Sequence, residues 1–235
     1  MTALDGCTAA RLHVLCAFNL SEYIQLTVRE LNCGKLRLRP EVEAVAGIFA
    51  AGKSNGRQRK IWNGASVSQL AQAPPKPRRL ANPSCFLDVN ASGDSLYFSK
   101  RDAATFFDAL KVPKALQRWF GQPAVQVREL VEAGMSLECI LSLCDDLPSR
   151  DVKADTWLYP ASVVWPMGFS WSSAVAQDTA LAVCARAGIR EESILSPDHT
   201  APERQQELVF VATDDTVLVH RDATLGMQRL AAKQP

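Results

Sequence analysis

Several things that this 235-residue chain lacks narrow what it can be. It has no Cys-x-x-Cys pair. Its seven cysteines (Cys7, Cys16, Cys33, Cys85, Cys139, Cys144 and Cys184) are odd in number and irregularly spaced, which argues against a zinc ribbon or a disulfide framework. A reducing, intracellular setting fits that usage, with cytoplasm and nucleus both open. Long apolar runs are missing as well: "AVAGIFAAG" (44–52) falls well short of the ~20 residues a membrane helix needs, so no membrane partner is expected. Asp5 stands where a secretory leader would carry its basic residues, and the apolar stretch 12–18 contains His13. Neither sign of charge is in surplus: the net charge is +1, so attraction to nucleic acid must come from local clusters. His13, His199 and His220 show no triad or ligand spacing, and there are no internal repeats or low-complexity segments.

What is present is ordinary for a globular protein: 47% apolar and 22% charged residues, in a chain long enough for one large domain or a domain with a subdomain. Apolar positions recur with helical spacing over 8–32, at Leu12, Leu15, Cys16, Ile24, Val28 and Leu31, and "NCG" (32–34) stops the run. Residues 41–51 predict a further short helix. Asn55-Gly56 predicts a turn inside the basic stretch "GKSNGRQRK" (52–60). "APPKPRRLANP" (73–83) holds four prolines and excludes regular helix. "SLYFSKRD" (95–102) predicts a strand; "AATFFDAL" and "PKALQRWF" predict helices. Residues 124–147 predict a helix with Leu137, Ile140, Leu141 and Cys144 on one face, ended at "LCDDLP" (143–148). "ASVVW" (161–165) predicts a strand, "PMGF" (166–169) a turn, 170–188 a helix ending at Gly188, and 207–213 with 216–220 a hairpin. Mixed helices and strands with a closing hairpin argue for an α+β fold built on an antiparallel sheet.

That hairpin, "VFVATDDTVLV" (209–219), sets Asp214 and Asp215 between two apolar runs. One reading is a solvated turn, in which aspartate is favoured. The other is a metal site, since carboxylate oxygens suit Mg²⁺ and a two-ion centre needs carboxylates from more than one segment. Asp102, at the end of the strand predicted over 95–102, is the natural third member.

The blocks around these residues resemble reverse transcriptases, the RNA-directed DNA polymerases of retroelements. "SKRDAATFFDAL" (99–110) is similar to the family's first palm motif, an aspartate followed by an aromatic five positions on, here Asp102 and Phe107. "PMGFSWSSAVAQ" (166–177) is similar to its Pro-Gln-Gly turn running into a helix. "VATDDTVLV" (211–219) is similar to its aromatic-x-Asp-Asp hairpin, and "KSNGRQRKIWNG" (53–64) to its fingers hairpin. All four blocks stand in the family's order.

The resemblance implies a polymerase palm, ferredoxin-like with an antiparallel sheet packed on helices, and partial fingers. It divides the chain into a helical extension (1–50), a fingers-like region (51–94) and a palm-like region (95–235), with 124–155 a helical insertion. Asp102 and Asp214 would bind two Mg²⁺ ions, with Mn²⁺ as an alternative, and Asp215 would support the second aspartate site. Phe107 would lie beneath the incoming sugar, Lys53 and Arg59 would close on the triphosphate, and Met167 and Gly168 would line the nucleotide pocket. The partners implied are an RNA template, a DNA primer and a deoxynucleoside triphosphate. Only residues 216–235 follow Asp215, so the resemblance implies a piece without a thumb. Met167, Ser173 and Ala212 depart from the family's glutamine, proline and aromatic, which puts nucleotide handling in question because methionine lacks glutamine's polar contacts. An inactive relic that at most binds RNA is the alternative.

Overall fold

The computed structural model describes residues 19–53, 56, 58–91, 95–146, 152–200 and 207–224. The expectations for 8–18, Asn55, Arg57, 149–151 and 201–206 lie outside these residues. The chain forms two compact units that alternate along the sequence: Met1–Ala73 with Phe107–Ser172, and Pro74–Phe106 with Ser173–Pro235. The architecture is mixed α+β with mainly antiparallel sheets.

In the first unit, helix α1 (Leu20–Asn32) starts where the Asn19 side chain accepts from the Ser21 amide. It buries Tyr23, Ile24, Val28 and Leu31, one stripe at helical spacing. Gly34 takes a φ of 70°, and the Gly34 and Lys35 amides bond back to the Leu31 and Glu30 carbonyls, the paired closure that a left-handed residue permits. Strand β1 (Leu36–Arg39) follows at once and belongs to a three-stranded antiparallel sheet in the order β1–β6–β5. β1 pairs with β6 (Trp157–Ser162), Leu38 opposite Pro160, and β6 pairs on its other edge with β5 (Val125–Gln126). The strand expected over 161–165 therefore begins earlier and runs through a proline. Pro160 is tolerated because its carbonyl, accepting from the Gln122 amide, lies on the side away from β1, so β1 never needs the missing N–H.

The short helix expected over 41–51 is not formed. Strand β2 (Ile48–Gly52) pairs instead with β3 (Gln58–Trp62), from Ile48 opposite Trp62 to Gly52 opposite Gln58. A brief apolar run does not separate strand from helix by period alone, and here the partner strand decides. A short helix α2 (Ala65–Leu70) follows. Strands at 36–39 and 48–52 thus occupy a region whose sequence suggested helix only.

The helix expected over 124–147 is also interrupted. β5 leads into α4 (Val127–Glu132), Gly134 turns the chain at a φ of 99°, and Ser136 caps α5 (Leu137–Ser142) by accepting from the Cys139 amide. Ile140 is fully buried as expected, while Leu137 is exposed, because the break rotates the face that the continuous pattern predicted. Only Phe106–Ala109 (α3) of "AATFFDAL" is helical, and "PKALQRWF" forms a tighter three-residue-per-turn coil over Lys114–Trp119. Trp62 is core: it packs edge-on against Phe120 and donates its Nε1–H to the Gly121 carbonyl at 3.0 Å.

The second unit carries a sheet in the order β4–β9–β8–β7, where β4 is Tyr97–Asp102, β7 Ile194–Leu195, β8 Glu207–Ala212 and β9 Asp215–His220. β7 joins parallel to β8; the other pairings are antiparallel. Helix α6 (Ser172–Arg186) covers one face with Ala180 and Cys184, against Val209, Val211 and Leu218. Cys85, from the turn Pro83–Asp88, packs on the other face with Leu208, Phe210 and Val219, and Phe86 stacks on Phe210 with centroids 4.1 Å apart. β8 is buried on both faces, which is why it reads as an unbroken apolar run rather than an alternating one. Each of its large side chains contributes about 1.5–3 kcal/mol by burial.

Candidate functional site

The site builds from the β8–β9 hairpin. Ala212 pairs with Asp215, so the connection is only Thr213-Asp214, and Asp215 opens β9 rather than lying in the turn. The favoured two-residue hairpin turns need a positive φ at the first central position or at both, and glycine or asparagine usually supplies it. Here Thr213 does so, at a φ of 55°. A β-branched residue is poorly suited to that conformation. Local bonds hold it: the Thr213 amide donates to Gln177 Oε1 at 2.9 Å, and its hydroxyl lies 2.9 Å from Asp214 Oδ1 and 2.8 Å from the Ala212 carbonyl.

β9 pairs antiparallel with β4, and the register sets Asp102 directly opposite Asp215. Opposed residues of such a pair hold their Cβ atoms about 4.5–5.5 Å apart on one face. The Ala103 amide extends the ladder by donating to the Asp214 carbonyl at 3.0 Å. Asp102, Asp214 and Asp215 therefore meet at one end of two strands. Asp102 is exposed and the other two are half-buried.

Lys100 shares this face, two residues before Asp102. Its ammonium lies 2.9 Å from Asp215 Oδ1. The Asp215 hydrogen bond and charge, aided by Asp102 and Asp214, hold the Lys100 pKa above the usual lysine range. Lys100 is exposed and Asp215 half-exposed, so solvent screens the pair heavily. Among the described residues, no hydrogen bond or ion pair reaches the Asp102 carboxylate.

The donor chemistry suits Mg²⁺, a hard ion that takes one or two protein carboxylates and draws its other oxygens from substrate phosphates and water. Among the described residues, no group of three His, Cys, Asp or Glu side chains is placed so that it could hold a metal ion. Asp102 and Asp215 stand opposite each other with Asp214 at the adjoining turn, at a solvent-accessible strand end.

The other sequence-predicted residues lie in the first unit. Lys53 is exposed just after β2, and Arg59 is exposed on β3 opposite Ala51, so both flank the same turn. The neighbouring Lys60 is committed to Glu30, and burial holds its ammonium below the usual lysine range. Met167 and Gly168 form the turn expected after β6, with Gly168 at a φ of 114°. A Cβ on Gly168 would fall 2.0 Å from the Trp62 carbonyl, and the Met167 carbonyl accepts from the Trp62 amide. Gly168 is therefore required to seat this turn on the end of β3, and within the first unit it joins the Lys53–Arg59 hairpin to the Met167–Gly168 turn. Phe107 is half-buried in α3.

No protein-family model matches this chain, and no curated protein matches it. Among solved structures, the protease–reverse transcriptase of prototype foamy virus is similar over 86% of this chain, at a TM-score of 0.49 and 15% identity. The match covers 20% of that chain, so this protein spans about a fifth of its length. That is a weak likeness of fold, and no residue assignment above rests on it.

Three residues of the site escaped the sequence reading: Lys100, Thr213 and Gln177. Gln177 left a signal. It stands at Ala174+3 and Ala180−3 on α6, the spacing of the buried face, and is fully buried there. A polar side chain on an apolar stripe needs a partner. The basic "KPRR" (76–79) makes its contacts within the second unit. Lys76 pairs with Asp198, Arg78 with Asp178, and Arg79 with Glu191 and the Ile194 carbonyl. Among the described residues no helix is long and apolar enough to cross a membrane.

Proposed function

We propose that this chain carries the palm and part of the fingers of an RNA-directed DNA polymerase. The observation that carries the reading is the register that sets Asp102 opposite Asp215 with Asp214 at the adjoining turn. The ladder joins two sequence-distant blocks at these residues, and these are the blocks that resemble the family's first and third palm motifs.

Asp102, Asp214 and Asp215 would hold Mg²⁺, whose role when bound is to neutralise phosphate charge and favour attack of a primer 3′-oxygen on the α-phosphate of a deoxynucleoside triphosphate. The chain's own contribution is position. The β4–β9 ladder fixes the carboxylates relative to one another, and Lys53 and Arg59 supply a point charge and a bidentate fork to the triphosphate. Phe107 is assigned to the face of the sugar, Met167 and Gly168 to the nucleotide pocket.

The test is Mg²⁺-dependent extension of a DNA primer on an RNA template by the full chain and by Asp214→Asn. Extension by the wild type that falls at least a hundredfold in the variant, with unchanged circular dichroism, is expected. Extension unaltered by the substitution rejects the assignment. A second reading, a protein of this fold that binds RNA without copying it, is favoured by the Lys100 ammonium seated on Asp215. Salt-sensitive RNA binding with no nucleotide incorporation would select it.

A further inference from the structure

The Asp214-Asp215 turn rests on a side chain that the function above does not use. Gln177 is fully buried, and its carboxamide is spent on backbone alone. Its oxygen accepts from the Thr213 amide at 2.9 Å. Its nitrogen reaches the Val211 carbonyl at 3.3 Å, the Arg78 carbonyl at 3.1 Å and the Arg79 carbonyl at 3.0 Å. One planar group thus holds both sides of Ala212, with Thr213, the residue of positive φ, on one side and Val211 on the other. The same group ties that turn to the proline-rich segment.

That segment is itself anchored. The Ala81 amide donates to the Val211 carbonyl at 2.9 Å, and Leu80 bridges Val211 as an added strand position. Arg79, at a φ of 48°, donates to the Ile194 carbonyl. The Val211 carbonyl is therefore the meeting point of β8, the segment around Leu80 and α6.

We infer that Gln177 is a positioning residue: it sets where the Thr213-Asp214 turn stands, and so how Asp214 and Asp215 face Asp102, and it couples that turn to residues 78–81. The chemistry requires glutamine at this length. A group that donates and accepts at once is needed, and a carboxylate would lose both donors while methionine would lose every bond. Asparagine, one methylene shorter, does not span the same acceptors. The consequence for metal binding rests on the polymerase reading; the consequence for the turn does not.

The experiment uses the full chain and Gln177→Met, with two readouts. Amide hydrogen exchange is followed at Thr213, with Val209 and Leu218 as internal references. Mn²⁺ affinity of the folded protein is measured by electron paramagnetic resonance. In Gln177→Met the Thr213 amide should exchange at least tenfold faster while Val209 and Leu218 stay protected, and Mn²⁺ should bind several-fold more weakly. Unchanged Thr213 protection overturns the inference. Lost protection with unchanged Mn²⁺ affinity overturns the positioning role and leaves a structural one. If the wild type binds no Mn²⁺, or Asp102→Asn leaves its affinity unchanged, the metal reading fails, and exchange at Thr213 alone decides for Gln177. Should Gln177→Met not fold, the wild-type carboxamide decides: its two protons must exchange slowly and show cross-relaxation to the Thr213 amide, and exchange at the free rate overturns the inference.

Discussion

Two Asp-Asp dipeptides occur in this chain, and their surroundings differ. Asp145-Asp146, in the first unit, follows α5 and meets two arginines of β1. Arg39 reaches Asp145 at 2.9 Å and Asp146 at 2.6 Å, and Arg37 reaches Asp145 at 3.2 Å. The Arg39 side chain is only 3% exposed, so its guanidinium depends on those carboxylates for charge compensation. Asp214-Asp215, in the second unit, stands opposite a third aspartate across a strand ladder and, among the described residues, meets one ammonium, exposed Lys100. Like charges directly opposite one another on a sheet are destabilising, so such an arrangement needs an offset from elsewhere. The same dipeptide is a satisfied structural pair in one place and an open acceptor of positive charge in the other.

The two dipeptides should differ most in stability. Asp145→Ala leaves a buried guanidinium short of a partner and should cost about 3–5 kcal/mol in urea unfolding. Asp214→Ala, which loses the Thr213 hydroxyl's bond, and Asp215→Ala, which loses the exposed Lys100 pair, should each stay within about 1 kcal/mol, since repulsion from Asp102 is relieved. Equal losses at both dipeptides would make the second pair structural too.

A smaller effect is expected at Lys100. Lys100→Met removes a unit charge a few ångströms from the carboxylates, screened by solvent. Mn²⁺ should bind roughly fivefold more tightly, less so at high salt. Arg37→Met, the matching change at the other dipeptide, should create no Mn²⁺ site, since Arg39 remains on both carboxylates. Weaker Mn²⁺ binding in Lys100→Met would show that the ammonium supports the site rather than competing for it.

The smallest effect concerns Cys144, beside the first dipeptide. Burial pushes its thiol up to about 11; Arg37 opposes this and Asp145 adds to it. The thiolate is the charged form, so at pH 8 alkylation of Cys144 should be slow. Asp145→Asn removes a contribution that raises the pKa and leaves one that lowers it. The pH profile of alkylation in the folded variant should therefore shift to lower pH. A shift to higher pH would show that Asp145 does not act on the thiol through its charge.

Much of this arrangement was legible from residue types in order. α1 and α6, the turn at 166–169, the β8–β9 hairpin and the strand ending at Asp102 follow from period, glycine placement and β-branched runs. The misreadings share a cause. Residues 48–52 look helical until β3 is beside them, and 124–147 looks continuous until Gly134 and the Ser136 cap are placed. "KPRR" looks free until Asp198, Asp178 and Glu191, all far along the chain, are brought to it. Each depends on a partner that local pattern does not specify.

Residue order alone dictates a mixed α+β chain, two carboxylates at a hairpin and Asp102 at the end of a strand, because alternation, turn chemistry and strand propensity are local properties. Which aspartate stands opposite which is set by strand pairing. Register comes from the β4–β9 ladder, and a slip of one residue would turn Asp215 to the opposite face. Tertiary packing also distinguishes the two Asp-Asp pairs and commits Gln177 to the turn, since burial and charge compensation belong to the packed chain and not to any short stretch of it.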